Sequence, residues 1–110
     1  MSKSILQAHT GKYERECLLC RIEADAAGYM GELTHTGLQK HHVFGGHKHR
    51  KLSEHYGLWC YLCVGHHEYG QNAVHLNAEV NNFLKQLAQK RFEKIHGHDK
   101  WMAEFGQNYL

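Results

Sequence analysis

The sequence predicts a small α+β domain whose first half carries a metal site and whose second half is helical. Its length of 110 residues suits one domain, which we place at residues 1–110. Residues 1–71 contain all four cysteines, nine of the eleven glycines and short strand-like runs. Residues 72–110 instead repeat apolar side chains at the spacing of amphipathic helices.

The composition narrows the class of protein. The chain has twelve histidines, four cysteines and no proline. It contains no apolar run of about 18 residues and opens on no signal-peptide core, so we expect no membrane association and no secretion. Because cytosolic thiols stay reduced, four cysteines favour a metal site over disulfides. We therefore expect a cytoplasmic protein.

Two strand candidates lie in the middle of the chain. Residues 38–44 alternate so that His41 and His42 point to opposite faces of a strand. Residues 58–62 are rich in aromatic and apolar side chains, which is typical of a strand. We expect the intervening residues 45–57 to form a broad loop.

The remaining elements are predicted largely from residues that are typical of helix ends and loops. Residues 4–7 are a candidate edge strand, and residues 23–37 a loop with one helical turn at 23–27. Asn77 is a plausible N-cap for a long helix that Gly97 ends, and Asp99 can cap a short helix closed by Gly106. The expected buried stripe of the long helix consists of Val80, Phe83, Leu84, Leu87, Ala88, Arg91, Phe92 and Ile95.

A zinc site is predicted from two ligand pairs. Cys17 and Cys20 are spaced to direct both sulfurs at one tetrahedral ion, and Cys63 and His66 have the same spacing across a glycine. Four thiolates that include Cys60 are the alternative. The set with His66 is favoured because Cys60 lies inside an apolar run, where a free cysteine acts as a small hydrophobe.

A basic segment follows the first strand candidate. Residues 40–51 contain four histidines and no acidic residue. Its cations, which can neutralise several phosphates, are Lys40, Lys48, Arg50 and Lys51. Arg50 is suited to a bidentate contact with a phosphate. By itself such a segment is more often a solvated basic loop. The family resemblance described next favours nucleic acid, DNA in the first place, as the partner, although the sequence does not separate DNA from RNA.

The order of these motifs resembles the HNH, or ββα-metal, endonuclease family. The matching residues are the Cys17–Cys20 pair, the run Leu-Gln-Lys-His-His-Val-Phe-Gly-Gly at residues 38–46, and Leu-Cys-Val-Gly-His-His at residues 62–67. The chain also looks like small phage and prophage HNH proteins. In motif layout it is similar to phage recombination-enhancement nucleases. The fold implied is a ββα-metal core with a structural zinc knuckle and C-terminal helices.

The resemblance also implies roles for individual residues. His42 would be the general base, and His41 and His67 would bind the catalytic metal, with His75 as a third ligand. The implied cofactors are structural Zn²⁺ and a catalytic Mg²⁺, Mn²⁺ or Zn²⁺. The implied reaction is hydrolysis of a phosphodiester to a 5′ phosphate and a 3′ hydroxyl. A recombinase or other phage protein is a candidate partner, in the cytoplasm of a bacterial host.

One departure from the family pattern bears on catalysis. The asparagine that orients the base is missing, and Gly57 and Leu58 occupy its neighbourhood. Ser53, Glu54 or His55 are candidate substitutes. The alternative function is therefore a non-catalytic zinc module that binds nucleic acid or a protein. The sequence leaves open nicking against double-strand cutting, sequence specificity, and monomer against dimer.

Overall fold

The computed structural model describes residues 3–7 and 15–110. Its elements in chain order are α1 (Leu18–Ala26), β1 (Gln39–His42), α2 (His47–Tyr56), β2 (Trp59–Leu62), one π-helical turn (Gly65–Tyr69), α3 (Ala78–His96) and α4 (His98–Phe105). This is the predicted α+β class, built on a two-stranded antiparallel sheet. Within the described ranges, every helix is too short or too polar to cross a bilayer.

The two predicted strands are confirmed and pair with each other, although each is shorter than the run that predicted it. In the antiparallel register, His41 lies opposite Cys60 and His42 opposite Trp59. Because side chains alternate along a strand, His41 is buried on one face and His42 is half-buried on the other. The sheet thus divides two adjacent histidines between two environments.

The predicted broad loop at residues 45–57 is wrong, since most of it forms α2. Gly46 precedes the helix, and Gly57 ends it in the left-handed conformation with φ +74°. The fully buried Ser53 hydroxyl donates to the Phe44 carbonyl at 3.2 Å and accepts from the Phe44 N–H at 3.3 Å. Leu52 and Tyr56 also pack on the core from this helix, but two hydrophobic positions in ten residues were too few to predict it.

Residues 3–7 do not form the predicted edge strand but still bond to the β2 region. The Ile5 N–H donates to the Gly57 carbonyl at 2.9 Å, and the Gln7 side-chain oxygen accepts from the Tyr61 N–H at 3.0 Å. A Cβ on Gly57 would lie 2.1 Å from the Lys3 carbonyl oxygen. Glycine is therefore required at position 57 by both its φ and this close approach.

The first helix is longer than predicted and begins earlier. The expectation of a loop with one helical turn at residues 23–27 is replaced by α1, which starts directly after Cys17. The Cys17 sulfur accepts from the Cys20 N–H at 3.4 Å and so caps the helix. Leu18 and Leu19 are buried at the same end. Burial of these two leucines explains why the helix begins directly after the first cysteine of the pair.

The long helix is confirmed with its caps. The Asn77 side-chain oxygen accepts from the N–H groups of Glu79 and Val80 at 3.0 and 3.3 Å, and Gly97 ends the helix. The short helix α4 starts directly after Gly97 rather than at Asp99, which instead occupies its first turn. Gly106 closes α4 with φ +72°, as predicted.

The buried stripe of α3 is narrower than predicted. Leu84, Ala88 and Phe92 are fully buried, whereas Arg91, Phe83 and Ile95 are exposed. The stripe is completed by a polar residue that the apolar pattern missed. Gln89 is fully buried, and its amide bonds the Tyr109 N–H and the Asn108 side chain at 2.7 Å each. The C-terminal segment is thereby tied to α3.

An aromatic cluster joins the helices to the sheet region. The Trp101 ring stacks on Phe105 with centroids 4.2 Å apart and meets Phe92 edge-on at 5.3 Å. Phe44, just beyond β1, contacts Trp101 at 5.4 Å. These rings belong to one continuous core with Leu58 and Cys60.

The position of the buried stripe can be tested with two substitutions on α3. We expect Phe92→Ala to lower the free energy of unfolding by about 3–5 kcal/mol, because the fully buried ring leaves a cavity. Ile95→Ala should change it by less than about 0.5 kcal/mol, because Ile95 is 60% exposed. Urea unfolding followed by circular dichroism measures both values. Equal losses for the two variants would contradict the observed stripe.

Candidate metal centres

Four predicted zinc ligands lie together in the structure. Single ligand atoms from Cys17, Cys20, Cys63 and His66 all fall within 4.8 Å of one another. The sulfurs of Cys20 and Cys63 are 3.8 Å apart, and His66 Nδ1 lies 3.5, 3.3 and 3.2 Å from the sulfurs of Cys17, Cys20 and Cys63. Tetrahedral zinc with Zn–S bonds of about 2.3 Å requires sulfur–sulfur separations of about 3.8 Å. The cluster is therefore consistent with a zinc site.

Two pieces of backbone position these ligands. Cys17 and Cys20 lie at the start of α1, where the helix dipole favours thiolates. Cys63 directly follows β2 and His66 lies in the π-helical turn after it, where the His66 N–H donates to the Cys63 carbonyl at 3.1 Å. A bound ion would join the N-terminal helix to the end of the sheet.

Glu23 orients the histidine of this cluster, a role that the sequence analysis missed. His66 Nε2 donates to Glu23 Oε1 at 2.5 Å, which leaves the lone pair of Nδ1 facing the three sulfurs. Carboxylates commonly hold metal-binding histidines in this way. The available signal was its spacing, because Glu23 follows Cys20 by one turn of α1.

The thiols of the cluster differ in acidity. Burial opposes ionisation of Cys63, but hydrogen bonds from the His66 backbone and ring, and from Cys20 and Cys17, lower its pKa to about 7. Burial raises the pKa of both Cys17 and Cys20, and the charge of neighbouring thiols raises it further. Cys63 is thus the thiol of this group that ionises most readily.

Cys60 lies outside this group of four. It is fully buried in β2, where burial raises the pKa of its thiol. The geometry therefore matches the set of three cysteines and His66, not the alternative of four thiolates.

A second cluster contains His41, His67 and His75, the three residues for which the resemblance implies a catalytic metal. One nitrogen of each lies within 4.8 Å of the others, and the Nε2 atoms of His67 and His75 are 3.1 Å apart. His41 Nε2 is buried and has no hydrogen-bond partner among the described residues. An unsatisfied buried nitrogen beside two further imidazoles fits the donor set that transition metals prefer.

The turn after β2 brings His75 back to His67. Eight residues of straight helix would separate these histidines by about 12 Å. The π-helical turn instead ends at Gly70, whose N–H donates to the Gly65 carbonyl at 2.7 Å. The Val74 N–H then donates to the His66 carbonyl at 2.7 Å, which folds the next segment onto the turn. Gly70 thus ends the turn and allows the following segment to bring His75 back to His67.

Burial favours the neutral, metal-binding form of His41 and His67. Burial first, and then the charges of His67, His75 and His42, lower the pKa of His41 to about 3. Burial and His75 also lower the pKa of His67. His67 Nδ1 donates to the Gln39 side-chain oxygen at 2.7 Å and so directs its Nε2 lone pair into the cluster. Gln39 is a second orienting residue that the sequence analysis missed.

On the opposite face of β1, His42 pairs with α2. His42 Nε2 lies 2.7 Å from Glu54 Oε2, and the Lys40 ammonium lies 2.9 Å from the same carboxylate. Burial would raise the pKa of Glu54, but the hydrogen bonds from Lys40 and His42 outweigh it and lower that pKa. The pair opens onto a pocket of about 600 Å³ lined by His42, Gly46, His47, Arg50, Lys51 and Glu54.

The predicted phosphate-binding cations are spread unequally around this pocket. Arg50 and Lys51 line it from α2. Lys48 is exposed on the same helix and is not part of the pocket lining. Lys40 is bound to Glu54 and lies 4.1 Å over the Trp59 ring. Two of the four cations therefore line the pocket beside His42.

The chain matches no protein-family model, and no curated protein or solved structure matches it. The chemistry of the two clusters therefore rests on their own geometry.

The zinc ligand set can be tested by substituting, one at a time, the two residues that distinguish the alternatives. We expect Cys60→Ala to keep the zinc of the cysteine cluster and His66→Ala to lose it, because His66 belongs to the group of four and Cys60 does not. Elemental analysis of folded monomer measures zinc content, and the thiolate absorption of the Co²⁺ form reports the ligands. Zinc lost in Cys60→Ala but kept in His66→Ala would indicate four thiolates.

The orienting role of Gln39 gives a prediction for the histidine cluster. We expect Gln39→Ala to weaken binding of Co²⁺ or Zn²⁺ there about 10–100-fold, because His67 loses the acceptor that fixes its ring. Gln39→Glu keeps an acceptor and should bind at least as tightly as the native chain. Competition titrations with the cysteine site already filled measure the affinity, with the exposed Gln71→Ala as control. An unchanged affinity in Gln39→Ala would rule the role out.

Proposed function

We propose that this protein is a metal-dependent endonuclease that hydrolyses phosphodiester bonds in DNA, with an HNH-type ββα-metal core. The observation that carries the proposal is the placement of successive residues of β1. His41 belongs to a three-histidine cluster, and His42 pairs with a carboxylate beside a cationic pocket. A ligand for metal and a candidate base are the two groups that metal-assisted hydrolysis requires.

In this proposal, His42 accepts the proton of the attacking water. A neutral imidazole accepts a proton from water near neutral pH. The ring of His42 lines the pocket, and its side chain keeps 16% exposure, so water can reach it. His42 therefore acts as the general base that activates the attacking water.

The metal would be held by His41, His67 and His75. A divalent ion bound there supplies a Lewis acid that offsets negative charge on the phosphate and on the leaving oxygen. Mg²⁺, Mn²⁺ and Zn²⁺ are the candidates, and three imidazole nitrogens favour the transition metals. Zinc at the cysteine cluster has a structural role, since its four ligand positions are all supplied by the protein.

The substrate backbone would be bound by the cations of α2. Arg50 and Lys51 line the pocket that also contains His42, and Arg50 can contact one phosphate through two N–H groups. Lys48 can contact a neighbouring phosphate. Contacts of this type position a nucleic acid without reading its sequence, so we expect low sequence specificity.

A second candidate function follows from the missing asparagine. Gly57 has no side chain and Leu58 is fully buried, so neither side chain can orient His42. If Glu54 does not replace that function, the protein is a zinc module that binds nucleic acid or a protein partner, such as a recombinase, without cleaving.

Plasmid cleavage tests the nuclease proposal. We expect the purified protein to relax or linearise supercoiled plasmid with Mn²⁺, Mg²⁺ or Ni²⁺, and not with EDTA. His42→Ala should lower the rate about 10²–10⁴-fold, which is the usual contribution of a general base. The exposed His35→Ala is the matched control and should cleave normally.

The alternative predicts a different result in the same experiment. A protein that keeps one zinc and shifts DNA in a gel, but does not cleave DNA with any of the metals tested, would be the binding module. Full activity in His42→Ala would remove His42 as the base while leaving a nuclease.

A further inference from the structure

We infer that Glu54 is the positioning residue of the proposed nuclease, and that Lys40, Glu54 and His42 form one chain of contacts that directs His42 toward the substrate. This inference rests on the proposed function. In this arrangement Lys40 contacts Glu54 instead of making the phosphate contact that the sequence predicts for it.

The contacts join three residues from two elements. Lys40 and His42 are two residues apart on β1, so both side chains project from the same face of the sheet. Glu54 reaches them from α2, with one oxygen 2.7 Å from His42 Nε2 and both oxygens 2.9 Å from Lys40 Nζ. Lys40 is itself placed by the Trp59 ring, which lies 4.1 Å below its ammonium.

The carboxylate determines which nitrogen of His42 is free. A neutral imidazole carries one N–H and one lone pair, and an ionised carboxylate can only accept a hydrogen bond. The Nε2 atom beside Glu54 must therefore carry the proton, and the lone pair is left on Nδ1. An asparagine amide can donate or accept, so it does not impose this choice as strictly.

Lys40 also offsets the charge that Glu54 brings into the pocket. A lone carboxylate beside Arg50 and Lys51 would repel an incoming phosphate and compete for both cations. Because Lys40 binds the same carboxylate, the pair is close to neutral. Arg50 and Lys51 then remain the cations of the lining that face the substrate.

Cleavage kinetics of a double-mutant cycle test the inference. We expect Glu54→Ala to lower kcat about 10–100-fold with little change in KM, and Glu54→Gln, which keeps an acceptor, to lose less. The double variant His42→Ala/Glu54→Ala should be no slower than His42→Ala alone, because Glu54 acts through His42. Glu93→Gln is the matched control, since Glu93 likewise pairs with a histidine, His98, at 2.8 Å and does not line the pocket.

A spectroscopic measurement is independent of cleavage. In the native chain we expect the Nε2–H proton of His42 to exchange slowly with water and to appear in nitrogen-edited NMR spectra. It should be lost in Glu54→Ala and kept in Glu93→Gln. This readout reports the hydrogen bond itself, which a general loss of stability would not remove selectively.

The outcomes separate the two proposals. Cleavage with unchanged kcat in Glu54→Ala, losses that add in the double variant, or no protected ring proton would overturn the role of Glu54 and leave the nuclease standing. If the ring proton is protected but the native protein does not cleave DNA with any of the metals tested, the nuclease proposal is overturned. The catalytic role of the His42–Glu54 pair is then overturned with it.

Discussion

The short turn that follows β2 is the constraint on which both clusters depend. It delivers two consecutive histidines to different sites, with His66 facing the cysteine sulfurs and His67 facing His41 and His75. Both of their N–H groups donate to the Cys63 carbonyl, at 3.1 and 2.9 Å. One carbonyl oxygen therefore holds the backbone from which both clusters take a ligand, and any distortion of this turn displaces the two together.

The pairing of β1 with β2 likewise directs two consecutive histidines, His41 and His42, to two different sites. Alternation along β1 places His41 in the buried cluster and His42 at the α2 pocket. Each site is then completed by a group that fixes an imidazole: Glu23 for His66, Gln39 for His67 and Glu54 for His42. The chain uses three different polar partners to specify three histidine orientations.

The sequence predicted the parts of the fold that follow simple local rules. Both strands, the Asn77 cap and the glycine that ends α3 follow from alternation and capping, and the cysteine spacing predicted the ligand group. Helix α2 was missed because only two of its hydrophobic residues, Leu52 and Tyr56, pack on the core, and its one buried residue is the polar Ser53. Glu23 and Gln39 were missed because their partners lie 43 and 28 residues away, and the spacing of Glu23 from Cys20 does not by itself identify a partner so distant in sequence.

Ser53 has a further consequence for the way β1 aligns. If β1 shifted by one residue relative to β2, His42 would occupy the position of His41. The two histidine side chains alone therefore do not define the register of the sheet. Burial discriminates weakly against this slip, because Val43 and Phe44 are 3% and 2% exposed although they are neighbours on the strand's continuation. The Ser53 hydroxyl engages both the N–H and the carbonyl of Phe44, a pair of bonds that only one alignment satisfies. A single buried hydroxyl thus removes the ambiguity that repetition of histidine would otherwise leave.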